Sequence, residues 1–152
     1  MKSRHLARSL AMQTLYALDF SGRFYDSEGK AVYATLLEGD IPLQGVSDSE
    51  LGQLEQDVLS YSAFLLRGVI ENMEQIDALI SSYSVNRPLK RIDITDRNIL
   101  RLSFFTLLYC PDVHPHIVID EAVKLSQEFS TERSYKFVNG ILDSYVRGEM
   151  KK

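Results

Sequence analysis

The sequence predicts an all-α fold, because apolar residues recur at steps of three and four over most of the chain. The 152 residues are 45% apolar and 25% charged, which is typical of a soluble globular domain. Two stretches, Arg91–Ile94 and Ile117–Ile119, have a strand-like composition, but both are short and adjoin helical patterns. We therefore expect one helical domain over residues 1–152, with halves of about 1–82 and 88–152.

The first helix carries an apolar stripe, and we expect it to begin at a Ser3 cap and to stop at Gly22. The stripe consists of Leu6, Ala7, Leu10, Ala11, Thr14, Leu15 and Leu18. Arg4 and Arg8 are four residues apart, so they share one face beside the stripe. This helix should turn its apolar residues inward and a short basic row outward.

A shorter helix is expected over about residues 30–38, and a longer helical pattern follows it. Ser47 and Glu50 have the spacing of a capping box at the start of this longer pattern. The pattern continues to about Ser82, which exceeds an ordinary globular helix, so we expect a break within it.

A central helix is predicted from its composition and from the residues that come before and after it. Pro88 lies in a connection over residues 83–92. Thr95 or Asp93 is expected to cap a following helix that is apolar nearly all round, as a buried central helix should be. Pro111 is expected to end it.

Two helices are expected to complete the chain. Pro115 suits the first turn of a helix that extends to about Phe129. A cap at residues 130–131 is expected to begin a last helix that ends near Val146, with Gly148 beyond it.

Charge is unevenly distributed along the sequence. The net charge is −4, yet the first 18 residues hold Lys2, Arg4 and Arg8 and no carboxylate. A global acidic balance argues against nucleic acid, but a local basic strip can follow a phosphate backbone if acidic surface faces away. Ordinary solvated charge is the alternative interpretation.

The sequence contains no recognisable catalytic, cofactor or metal motif. A glycine-rich phosphate loop, a CxxC pair and an HExxH pattern are absent, and His114 with His116 is a weak metal signal that we interpret as a solvated pair. We therefore expect no enzyme activity, no cofactor and no metal. With no membrane-spanning run, no secretory signal and one cysteine, Cys110, a cytoplasmic protein is expected.

Arg101 and two aromatic residues stand out from the helical pattern. Arg101 lies on the most apolar helix, and we expect it to pair with Asp120 or Glu121 on the next helix. Tyr16 follows the basic row, and Phe137 comes directly after a lysine. An aromatic beside a cation is what stacking on an unpaired base requires, and core packing is the alternative.

Four motifs, in order and in register, resemble the NusB family. They are Arg4-x-x-Ala7-Arg8-x-x-Ala11-x-Gln13-x-Leu15-Tyr16, Asp96-Arg97-x-Ile99-Leu100-Arg101-Leu102, Ile119-Asp120-Glu121-Ala122-Val123-Lys124-Leu125 and Lys136-Phe137-Val138-Asn139-Gly140-Ile141-Leu142-Asp143. The resemblance implies an all-α fold of two small helical bundles. It also implies a bacterial transcription antitermination factor that binds single-stranded boxA RNA with NusE, a small-subunit ribosomal protein. The complex joins the elongating RNA polymerase and supports transcription of ribosomal RNA operons.

The resemblance also implies functions for single residues. It assigns RNA binding to Lys2, Arg4, Arg8, Lys136 and Phe137, and NusE binding to Tyr16 and Asp96. Gly140 matches a motif position, and we interpret it as a packing glycine that costs about 1 kcal/mol in helix propensity.

The basic start of this chain is thinner than in many members of the family, and this leaves open an adaptor or homodimer that does not itself bind RNA. A second alternative is a NusB-like accessory domain of an RNA methyltransferase, because NusB-like helical domains also precede the catalytic part of some RNA cytosine methyltransferases. Arg133 stands where some members carry aspartate, a change that either strengthens phosphate attraction or lies in solvent.

Overall fold

The computed structural model describes residues 2–25, 51–131 and 133–149, with side chains for residues 3–25, 56–131 and 133–149. Six α-helices and a short 3-10 helix account for most of these residues, so the all-α prediction is confirmed. The predicted helix over residues 30–38 and the capping box at residues 47–50 lie outside the described residues. No helix within the described ranges is both long and apolar enough to cross a lipid bilayer.

The contacts divide the chain into two compact units, Met1–Glu71 and Asn72–Lys152. In the first unit, helix α1 (Lys2–Ser21) packs along helix α2 (Leu51–Glu71). The second unit contains α3 (Met73–Tyr83), the 3-10 helix (Leu89–Arg91), α4 (Ile94–Tyr109), α5 (Pro115–Phe129) and α6 (Ser134–Glu149). The interpretation of residues 1–152 as one domain stays a prediction.

Helix α1 buries its predicted apolar stripe against α2. Ala7, Ala11 and Leu15 are fully buried, and the facing α2 contributes the buried Val58 and Leu65. Because α1 already begins at Lys2, Ser3 lies inside its first turn, and the prediction of a Ser3 cap was wrong.

Gly22 ends α1, as predicted, through two hydrogen bonds that reach back over the last turn. The Gly22 amide donates to the Asp19 carbonyl at 3.1 Å, and the Arg23 amide donates to the Leu18 carbonyl at 2.8 Å. This arrangement needs a left-handed residue, and Gly22 has a φ of 69°.

The expected break in the long helical pattern lies at Asn72, between α2 and α3. The cap of α4 is Asp93, whose carboxylate accepts a hydrogen bond from the Thr95 amide at 2.9 Å. Pro115 occupies the first turn of α5, which ends at Phe129 as predicted.

The last helix differs from the prediction at both ends. It begins at Ser134 and ends at Glu149, so Gly148 lies within it. The extension has a tertiary cause, because the Tyr83 hydroxyl donates to the Glu149 carboxylate at 3.3 Å across from α3. Such a contact stabilises the last helical turn but leaves no local signal in the sequence.

Helix α4 lies at the centre of the second unit and contacts α3, α5 and α6. Residues 95–107 are buried apart from the half-buried Arg97, as the apolar character of the helix predicted. Two of its polar members are satisfied within the helix, since Ser103 donates to the Ile99 carbonyl and Thr106 donates to the Leu102 carbonyl. Phe104 packs edge-on against Tyr145 of α6, with ring centroids 5.2 Å apart.

Arg101 is buried and paired, but its partner differs from the prediction. Its Nε and Nη2 donate to the two carboxylate oxygens of Asp77 at 2.8 and 3.0 Å. The predicted partners Asp120 and Glu121 are on α5, whereas Asp77 is on α3, which packs on another side of α4.

Candidate nucleic-acid interface

The predicted basic row lies on α1, where the helix leaves it at the surface. Arg4 is exposed, and its guanidinium carbon lies 3.8 Å from the centroid of the Tyr61 ring on α2. Arg8 is half-buried and lies 5.8 Å from the same centroid. Lys2 begins α1, and its side chain lies outside the described part of the chain.

Two aromatic residues of α2 extend this basic row into a cation–aromatic surface that the sequence did not reveal. Tyr61 and Phe64 have ring centroids 6.0 Å apart, and 46% of Phe64 is exposed. Ser62 between them is buried, so α2 turns a small polar residue inward and a large aromatic outward. A small polar residue on the inward face of the helix, with large aromatics beside it, was the signal that the sequence offered for this surface. An exposed aromatic beside cations is typical of nucleic-acid contacts.

A shallow groove of about 500 Å³ runs beside this surface. Ser3, Arg4, Ser60, Tyr61 and Phe64 line it, and Asp57 adds one carboxylate. Hydroxyl groups and guanidinium groups can both bind phosphate oxygens, and aromatic faces can accept bases. We name Arg4, Arg8, Tyr61 and Phe64 the α1–α2 cluster.

Tyr16 belongs to a second exposed aromatic group on α1. Its ring is stacked on that of Phe20, with centroids 6.2 Å apart and planes 5° from parallel. Tyr16 is 39% exposed and Phe20 is 72% exposed. Two adjacent aromatic rings at the surface are typical of a protein-binding site, because they bury large apolar area on association.

Asp96 lies in the first turn of α4 and is only 2% exposed. The Ser130 hydroxyl donates to its carboxylate at 3.3 Å, and this links the start of α4 to the segment before α6. Burial raises the pKa of the Asp96 carboxyl and the nearby Asp93 charge adds to the rise, while hydrogen bonds from Ser134 and Ser130 oppose it.

Lys136 and Phe137 lie together on α6, as their sequence positions require. Lys136 is exposed, and Phe137 is half-buried beneath Arg87, whose guanidinium carbon lies 4.5 Å from the ring centroid. Arg87 comes from the connection after α3, 50 residues earlier in the sequence, and sequence reasoning did not select it. No local signal could have found this pair, because only the fold brings the two segments together.

The interpretation of Gly140 as a packing glycine was wrong. No atom of the described residues comes within 4 Å of a Cβ built at this position, apart from the immediate backbone. Gly140 is exposed, and it lines the same groove as Arg87 and Phe137. Its cost of about 1 kcal/mol in helix propensity therefore has no packing explanation.

The remaining sequence candidates have local structural functions. His114 caps α5 by accepting a hydrogen bond from the His116 amide at 3.1 Å, and the two rings are stacked. Cys110 is buried at the end of α4. Arg133 is exposed and lines a groove with Lys136. Across the described ranges, no three His, Cys, Asp or Glu side chains are placed to hold a metal ion.

The sequence model of the NusB family matches this chain from residue 5 to residue 147. The chain belongs to the NusB family. One NusB-family relative, the transcription antitermination protein NusB of Leptospira biflexa serovar Patoc, is 39% identical over 150 residues, which span 99% of this chain and 96% of the relative.

Two solved NusB structures have the same fold as this NusB-family chain. T. maritima NusB is 30% identical with a TM-score of 0.73, and the match covers 95% of this chain and 91% of that one. The second structure contains the antitermination factors NusB and NusE in complex with dsRNA, and its matching chain is 25% identical with a TM-score of 0.71. That match covers 97% of this chain and 98% of the other.

Proposed function

We propose that this chain is a bacterial transcription antitermination factor that binds boxA RNA together with NusE and joins the elongating RNA polymerase at ribosomal RNA operons. The observation that carries the proposal is the α1–α2 cluster, in which Arg4 is exposed on the face of Tyr61. The solved complex of a related NusB with NusE and dsRNA supports the same function.

The α1–α2 cluster combines the two contacts that an RNA strand needs. Arg4 and Arg8, with Lys2 beside them in sequence, would bind phosphates, and Tyr61 and Phe64 would stack on unpaired bases. Lys136 of α6 would supply a second phosphate contact, and Phe137 would contribute through the Arg87 guanidinium that lies over its ring. Both contacts act by binding alone, so we infer a non-enzymatic protein that works without a cofactor. Its relatives are named transcription antitermination proteins, which supports action in the cytoplasm.

NusE binding is proposed at the Tyr16–Phe20 pair. The two exposed rings offer rigid apolar area that a partner can bury at low conformational cost. Asp96 is too buried to reach a partner directly, so we propose that it serves NusE binding by fixing the start of α4 against Ser130.

An RNA titration with and without NusE tests the proposal. Labelled boxA RNA, single-stranded and as a duplex, is titrated with NusE alone, with this chain alone and with the equimolar pair. The pair should bind single-stranded boxA RNA at least tenfold more tightly than NusE alone, because phosphate and base contacts are added. If this chain leaves the RNA affinity of NusE unchanged, it is an adaptor that binds no RNA.

The double variant Arg4→Ala and Arg8→Ala should weaken binding about tenfold and to a similar degree for every RNA sequence, since phosphate contacts read no sequence. The matched control removes Lys90 and Arg91, two exposed cations of the 3-10 helix. Equal losses in both double variants would contradict the assignment to α1.

Light scattering of the same samples measures whether two copies of the chain associate.

A further inference from the structure

The second unit has a groove of about 580 Å³ whose lining includes Lys136 and Phe137. It lies between the connection after α3 and the outer face of α6. Its lining combines cationic, aromatic, amide and hydroxyl side chains, a mixture that suits a nucleotide. These side chains belong to Asn86, Arg87, Lys136, Phe137 and Ser144, and the exposed Gly140 lies among them. The volume lies in the range of small-ligand sites, which is enough for one nucleotide.

Arg87 provides a flat, charged surface at the wall of this groove. Its guanidinium carbon lies over the Phe137 ring, 4.5 Å from the ring centroid, while the residue as a whole is exposed. A guanidinium that is stacked on an aromatic ring is held in one plane and can accept a second planar group on its other face. Nucleobases are planar groups that stack on arginine in this way.

Gly140 keeps the floor of the groove open. A glycine in the middle of a helix lowers helix propensity, and here no packing contact within the described residues requires it. Any larger side chain at this position would project into the groove, because Gly140 itself lines it. The glycine is therefore best explained by a ligand that approaches the α6 backbone closely.

We propose that this groove is a single-nucleotide site in which an unpaired base of the bound RNA stacks on Arg87 above Gly140. The proposal rests on the RNA-binding function proposed above and extends it to a site that reads one position. Lys136 at the rim binds the adjacent phosphate, and the Asn86 amide offers a donor and an acceptor to the edge of the base. Arg87 is the binding residue on which the site depends.

Substitution of Arg87 separates stacking from charge. In titrations of single-stranded RNA against the pair of this chain and NusE, Arg87→Ala should weaken binding about tenfold. Arg87→Lys keeps the positive charge but has no plane to stack, so it should remain at least fivefold weaker than the parent. Lys90→Ala removes an exposed cation three residues away and should bind like the parent. Full recovery by Arg87→Lys, or an equal loss in Lys90→Ala, overturns the stacking site.

Substitution of Gly140 tests the open floor. Gly140→Leu should weaken RNA binding about tenfold while its melting temperature is no lower than that of the parent, because leucine favours the helix and its Cβ meets no neighbour. Gly148→Leu makes the same change in α6 outside the groove lining. Its Cβ would lie in ordinary contact with the Tyr83 hydroxyl at 4.0 Å, so RNA binding should remain unchanged. Parent-like binding by Gly140→Leu, or equal weakening by Gly148→Leu, overturns the proposal.

Fluorescence of 2-aminopurine, an adenine analogue that is quenched when it stacks, reports the base itself. With the analogue placed at successive positions of the RNA, one position should be quenched by the parent and by Lys90→Ala but not by Arg87→Ala. If Arg87→Ala quenches the same position equally, the stacking site is excluded, whereas the proposed RNA-binding function is not affected by this result. If the parent pair binds no more RNA than NusE alone, the proposed function itself fails.

Discussion

Arg101 shows how this fold buries a charge at the scale of one residue. Only 6% of its side chain is exposed, against 21% for its partner Asp77. Two hydrogen bonds join it to Asp77, and its Nη1 donates to the Asn98 side chain at 3.0 Å. A buried ion loses hydration worth several kcal/mol, so it needs such complete pairing. The unequal exposure of the two partners makes the pair asymmetric.

This asymmetry predicts which partner is harder to remove. Asp77→Ala leaves a buried guanidinium without its carboxylate and should lower the free energy of unfolding by about 3 kcal/mol. Arg101→Met keeps much of the side-chain volume and leaves a carboxylate that can reach water, so it should cost only about 1–2 kcal/mol. Urea unfolding followed by circular dichroism measures both losses.

The matched control is the exposed pair Arg147–Asp143 on α6, whose Nε and Oδ2 atoms are 3.0 Å apart. Asp143→Ala should cost less than 1 kcal/mol, because surface ion pairs contribute little. If Arg101→Met lowers the free energy of unfolding as much as Asp77→Ala does, burial of the guanidinium does not explain the cost of removing its partner.

At the scale of the element, helix ends follow from local hydrogen bonds. Gly22 ends α1, Asp93 begins α4 and His114 begins α5, each through contacts within a few residues. Such signals are readable in sequence because the donor and the acceptor are near neighbours in the chain. The C-terminal end of α6 is different, since Tyr83 of another helix holds it.

The Asp93 cap gives a test at this scale. Asp93→Ala removes the acceptor for the Thr95 amide and should lower the free energy of unfolding by about 1 kcal/mol, or the melting temperature by about 2–4 °C. Asp93→Asn keeps an oxygen that can accept the same hydrogen bond and should retain most of the stability. Equal losses in both variants would assign the effect to the charge rather than to the cap.

At the scale of the whole molecule, the distribution of charge along the chain decides how a protein with a net charge of −4 can bind RNA. Residues 1–18 contain three cations and no carboxylate, while residues 26–80 contain eleven carboxylates and two cations. Segregation of this kind lets a basic patch attract phosphates in an acidic protein.

The salt dependence of RNA binding measures the number of phosphate contacts. With three to five contacts to single-stranded RNA, the observed affinity should fall with a log–log slope of about −2 to −3.5. For the variant that lacks Arg4 and Arg8, the magnitude of the slope should be smaller by about 1.4. The reason is that two fewer phosphates are neutralised, so fewer counterions are released on binding. Fluorescence anisotropy over a series of salt concentrations measures both slopes, and an unchanged slope in the variant would refute the phosphate assignment.

The sequence by itself determined the all-α class and most helix ends, because these depend on periodicity and on contacts between near neighbours. Its four motifs carried the resemblance to the NusB family. It also located the basic row of α1 and the Lys136–Phe137 pair, whose members are close in sequence. Only the tertiary structure decided that Arg101 pairs with Asp77, that Tyr61 lies under Arg4 and that Arg87 covers Phe137. The physical reason is that these partners are 24 to 57 residues apart, and side chains so distant meet only when packed helices bring them together.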